Sequence, residues 1–118
     1  MTIESDLTKK RCVACEGGIP PLTPSEIPAF LAQVPAWSLT PDGQRIRREW
    51  LVKNFLAALD FFNRVAVVAE SEGHHPDLHV VGYRNVTIEI WTHAVNGLTE
   101  NDFILAAKID QLKVELKR

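Results

Sequence analysis

Two adjacent histidines, His74 and His75, close an apolar helical run and are framed by Gly73 and Pro76. A third, His93, follows after an intervening strand. Imidazole has an unperturbed pKa near ~6.5 and exchanges protons at neutral pH, so three such rings able to converge suggest acid–base chemistry or a metal site. A helix C-terminus is the negative end of the helix dipole and favours the protonated ring, which suits a general acid. Either His74 or His75 alone could be a polar helix terminator that caps carbonyls. The glycine before and proline after the pair favour a functional reading. His93 alone reads as a rim residue at a sheet edge, and His79 reads as packing or surface. Glu70 lies one helical turn before His74, where a carboxylate could orient a histidine or bind a ligand amine. A capping-box position already accounts for Asp102.

Metal binding is the competing use of the histidines. Zinc motifs set ligands in pairs, such as Cys-x-x-Cys with a second pair or His-Glu-x-x-His on one helix. Cys12-x-x-Cys15 is a single pair with no second, and adjacent histidines do not share a helix face. No metal ligand set is assigned. There is also no phosphate-cradling glycine loop, no Gly-x-Ser-x-Gly elbow and no dinucleotide fingerprint.

The elements that must position these residues follow from periodicity. Residues 1–21 lack it and carry Gly17, Gly18, Pro20 and Pro21, which predicts a flexible or extended lead-in. Its removal through Gly18 is expected to leave folding and turnover nearly intact. Residues 22–118 read as a single domain. A short helix from Thr23–Ser25 carries Ile27, Phe30, Leu31 and Val34, and Trp37 to Thr40 and Ile46 to Val52 form a hairpin around Pro41-Asp42-Gly43. Asn54 to Glu72 is the clearest helix. Phe55, Leu59, Phe62, Ala66 and Ala69 make one stripe, and Ala58, Phe61, Val65 and Val68 make a second beside it. An apolar arc this wide exceeds what one sheet covers, so Phe61, Val65 and Val68 are expected to meet a symmetry mate in a homodimer or homotetramer. Leu78 to Val81 and Asn85 to His93 predict two more strands. Thr99 opens a last helix, with Leu105, Ile109, Leu112 and Leu116 on its buried stripe. The order α-β-β-α-β-β-α implies an α+β fold, a four-stranded antiparallel sheet with three helices on one face.

Composition narrows the class. A length of 118 residues suits one domain, and 46% hydrophobic with 24% charged residues is ordinary for a globular protein. A net charge of -2 argues against a nucleic-acid partner, and Arg45, Arg47 and Arg48 are only a local cluster. No apolar run approaches the roughly 18 residues of a membrane span. Met1 to Arg11 has no signal core, and two cysteines without one fit a reducing cytoplasm.

One spacing goes further. Glu70, three residues, His74-His75-Pro76, six residues, Tyr83, nine residues, His93, eight residues and Asp102 resemble the signature of the pterin-4a-carbinolamine dehydratases. Trp37-Ser-Leu, the stretch from Trp91 to Phe103, and Cys12-x-x-Cys15-Glu-Gly-Gly before Pro20-Pro21-Leu22 are similar to bacterial members. Gly73 departs from them, standing where some carry an acidic residue. The resemblance implies the same sheet and helices, homo-oligomers, and a hydro-lyase that dehydrates 4a-hydroxytetrahydropterin to quinonoid dihydropterin. That reaction recycles the cosubstrate of aromatic amino acid hydroxylation and needs no metal or organic cofactor. It implies His74, His75 and His93 as catalytic residues, with His75 mainly positioning the pterin. Glu70, Trp91, Thr92 and Asp102 would bind substrate. The alternatives are a non-catalytic protein-binding coactivator module and pterin handling in molybdopterin metabolism.

Overall fold

The computed structural model describes residues 4–13 and 20–118; Cys15, Gly17 and Gly18 lie outside the described residues. Alternation builds the sheet. β1 (Ser38–Leu39), β2 (Ile46–Leu51), β3 (Asp77–Val81) and β4 (Asn85–Ile90) associate in the order β1-β2-β4-β3, every pair antiparallel. In β4, Val86, Ile88 and Ile90 are buried while Thr87 and Glu89 face the other way, and Ile46 and Trp50 of β2 join the buried side. The opposite face carries charge. There Arg45 pairs with Glu89 at 3.0 Å and Arg47 with Glu49 at 2.8 Å.

Helices cover the apolar face. α2 (Ile27–Leu31) has five residues, fewer than the sequence suggested, because Pro24 to Glu26 form a turn, with Glu26 at the N-cap. α3 (Phe55–Glu72) begins at Asn54, whose side chain accepts the Ala57 N–H. α4 (Glu100–Asp110) begins at Thr99 with the full capping box expected of Thr99 and Asp102. Leu105 and Ile109 are buried in α4 as expected, but the helix ends at Asp110 and Leu116 is exposed in a tail that bridges Val52.

Three further features depart from the sequence reading. First, Glu4–Lys9 forms an α-helix, α1, so four α-helices rather than three occur among the described residues. It rests on α4, and Leu7, 2% exposed, joins the hydrophobic core. Six residues are too few to announce a helix by periodicity; burial of one leucine holds it. Second, β4 stops at Ile90 instead of reaching His93. Thr92 bridges back to Gly97, and Asn96 takes the left-handed conformation (φ 51), so His93–Val95 turns as a 3-10 helix. Third, the stripe of α3 expected to face a symmetry mate is turned largely into the chain's own core, and the most exposed apolar residues, Leu56 and Val67, lie outside both expected stripes. Phe61 (1% exposed) and Val65 (0%) pack in the chain's own core, with Trp50 edge-on to Phe61 at 5.0 Å. The stripe left in water is Phe55, Leu56, Leu59 and Val67.

Candidate active site

The C-terminus of α3 delivers the first histidine. Gly73 sits in the left-handed region (φ 65, ψ 28), where glycine carries no Cβ penalty. Its N–H donates to Glu70 O, and the His74 N–H donates to Ala69 O at 3.2 Å. These two bonds form a Schellman motif that fixes where the His74 side chain departs. The His74 ring is buried, and its Nε2 meets Asp102 Oδ1 at 2.6 Å across 28 residues of sequence.

Asp102 is wholly buried and anchored from the other side. Its Oδ2 accepts the Thr99 N–H at 2.8 Å and the Thr92 hydroxyl at 2.9 Å. Thr92 donates there, so it accepts from the Thr99 hydroxyl, 2.9 Å away, while Thr99 Oγ1 accepts the Asn101 N–H. The hydroxyls thus form a directional chain ending on one carboxylate. A carboxylate can only accept, so the ring hydrogen facing Asp102 is on Nε2 and Nδ1 is the ring's other nitrogen. The capping box accounts for only half of Asp102; its other oxygen orients His74. Thr92 has its hydroxyl committed beneath the site.

A second group lies on the exposed sheet face. Trp91 donates its Nε1–H to Asp77 Oδ2 at 3.1 Å, and the Arg45 guanidinium stands 4.6 Å from its ring centre. The His93 ring rests against Trp91, centroids 4.1 Å apart. Trp91 therefore supports His93 where β4 gives way to the 3-10 turn. From the sequence Arg45 reads only as part of a local cluster and Asp77 carries no role; Asp77 opens β3, and Arg45 immediately precedes β2. His75 is exposed and pairs with Glu70 at 3.0 Å. His79 is exposed on β3 opposite Thr87. The structure thus joins His74 with Asp102 and Thr92, His75 with Glu70, and His93 with Trp91.

Among the described residues no group of three His, Cys, Asp or Glu side chains is placed to hold a metal ion. Burial, reinforced by the Glu72 charge, pushes the Cys12 thiol up to about 12 from 9.0. A thiol rather than a thiolate stands there.

The model of the family described as pterin 4 alpha carbinolamine dehydratase matches residues 20–112. The chain belongs to this family. It is 54% identical over 114 residues to the mitochondrial pterin-4-alpha-carbinolamine dehydratase 2 of Arabidopsis thaliana, covering 94% of this chain and 61% of that relative. It is 47% identical over 109 residues to a candidate pterin-4-alpha-carbinolamine dehydratase of Methylococcus capsulatus, covering 92% and 95% respectively. The crystal structure of a transcriptional coactivator/pterin dehydratase from Brucella melitensis is similar, with a TM-score of 0.72 at 32% identity. That match covers 77% of this chain and 96% of the other. Every histidine of the candidate site falls within the span matched by the dehydratase family.

Proposed function

We propose that the protein dehydrates pterin-4a-carbinolamine to quinonoid dihydropterin and water by histidine acid–base catalysis. The observation that carries this reading is the buried His74–Asp102 pair, 2.6 Å apart in a chain of the dehydratase family. Hydroxide leaves C4a poorly unless it departs as water, and N5 must release its proton as the new double bond forms. The reaction therefore needs one group to give a proton and one to take it. His74, oriented through Nε2, and His93, held against Trp91, are assigned these transfers at the 4a-hydroxyl and N5. His75 with Glu70 positions the pterin. Trp91, Thr92 and Asp102 hold the two reacting rings in place, which narrows the substrate-binding role that the resemblance gave them.

The set of three histidines supports an enzyme over a purely protein-binding coactivator. A reducing cytoplasm suits the free thiol of Cys12. Among the described residues no helix is long and apolar enough to cross a membrane. Assembly into a homodimer or homotetramer through α3 is part of the proposal, supported by the apolar stripe this helix leaves in water.

The test is turnover of a 4a-hydroxytetrahydropterin in metal-free buffer. His74→Ala or His93→Ala is expected to slow it by roughly 10²-fold or more, the scale of one acid–base contribution. Full activity in the double variant would remove the assignment, and loss of wild-type activity on chelation would restore the metal reading.

A further inference from the structure

Residues 10–13 bond to both segments that carry the His74–Asp102 pair. On one side the Cys12 N–H donates to Glu72 Oε1 at 2.8 Å, and Glu72 is the last residue of α3, two before His74. On the other side the Asn101 side chain forms a reciprocal pair with Val13. Its Oδ1 accepts the Val13 N–H at 3.1 Å, and its Nδ2 donates to Val13 O at 2.9 Å. Asn101 immediately precedes Asp102. The Cys12 thiol adds a contact to Asn101 O at 3.5 Å, and Lys10 pairs with Glu100 in the same turn of α4. Glu72 also takes a bond from Lys108 of α4 through its second oxygen.

We infer that residues 10–13 are a strap that sets the relative position of His74 and Asp102, with Glu72 and Asn101 as the positioning residues that fasten it. His74 follows the end of α3 and Asp102 lies in the first turn of α4, and a 2.6 Å contact tolerates little relative slip of the two. The strap bonds each helix within two residues of the pair, so slip at the pair must first break a bond to the strap. Leu7, buried in the core, anchors the strap upstream. The strap precedes the span matched by the family model, 20–112. The same geometry reverses the expectation that the chain through Gly18 can be removed without loss.

The inference rests on the proposed proton-transfer role of His74, so its test reads the pair directly as well as turnover. The low-field proton resonance of the His74 Nε2–Asp102 hydrogen bond is recorded in wild type and in Asn101→Leu, which deletes both bonds to Val13. Steady-state kinetics are measured below the unfolding transition of each protein. The resonance is expected to shift or broaden, and kcat to fall about 10-fold with KM within about twofold, inside the roughly 10²-fold cost of a 1 Å misplacement. Glu72→Gln, which keeps an oxygen for the Cys12 N–H, is expected to retain more kcat than Glu72→Leu. If Asn101→Leu does not fold, Asn101→Asp, which loses only the donor to Val13 O, gives the same two readings. An unmoved resonance in a folded variant overturns the strap, whatever happens to turnover. A moved resonance with wild-type kcat supports the strap and overturns the proton-transfer role of His74 instead.

Discussion

Asp102 supplies one oxygen to its own helix and the other to a histidine, and the two services can be separated by one substitution. Asp102→Asn keeps an oxygen for the Thr99 N–H and the Thr92 hydroxyl, but presents an NH₂ to His74 Nε2. An imidazole facing that donor must turn its lone pair inward, which puts the proton on the wrong nitrogen. The expected result is a rate at least 10²-fold lower, on the scale of one acid–base contribution, with the unfolding midpoint little changed. Kinetics and denaturant unfolding on the same preparation check it; equal losses in both would mean the capping role dominates. The three histidines could be found in the sequence because Gly73 and Pro76 bracket two of them and the spacing to His93 is distinctive. The His74–Asp102 bond could not, since a contact across 28 residues leaves no local trace and the capping box had already explained the aspartate. Nothing near Trp91 in the chain announces that Asp77 and Arg45 hold it, because they arrive from neighbouring strands.

At the level of elements, local chemistry was readable and tertiary docking was not. Gly73 and Thr99 mark helix ends by backbone freedom or side chain and act as the sequence implies, whereas Asn54, read as the first helical residue, is the N-cap of α3. The end of β4 was misplaced because the alternation runs on through Trp91 and His93, and only the Thr92–Gly97 bridge diverts it. α1 was missed because one buried leucine is not a period. The docked segment has a pH signature. Burial acts to raise the Glu72 carboxyl above 4.5, but bonds from Lys108 and the Cys12 N–H, with the Lys108 charge, outweigh it and hold it lower. A depressed folded value means that the stabilisation is complete above 4.5 and is lost as the pH falls through the folded value. Corrected for intrinsic exchange, the Cys12 amide should therefore stay protected down to about pH 4.5 and lose protection below it. Hydrogen exchange followed by NMR measures this, and protection independent of pH would show that Glu72 does not control the docking.

For the whole molecule, the exposed stripe of α3 is the feature that calls for a partner. Leu56 and Val67 are each 70% exposed on a helix whose other side is sealed in the core. Fully burying side chains of this size is worth roughly 1.5–3 kcal/mol each. A two-fold contact lets one stripe serve both copies. Sedimentation of wild type should show a dimer or tetramer, and Leu56→Asp/Val67→Asp should dissociate it without unfolding the subunit. Charge at Phe61 or Val65, by contrast, should unfold the chain. A wild type that sediments as a monomer at micromolar concentration refutes the assembly.

α4 touches α1, α2, α3 and β4, and every residue from Asn101 to Ala107 is buried. A helix enclosed on so many sides cannot peel away without dismantling the elements around it. Its first turn carries Asp102, so the carboxylate that faces His74 sits on a helix packed against four other elements. Most catalytic groups sit on parts that can loosen while the rest of a protein stays folded. Heat or denaturant is therefore expected to free the Asp102 carboxylate together with the elements packed around α4 rather than ahead of them.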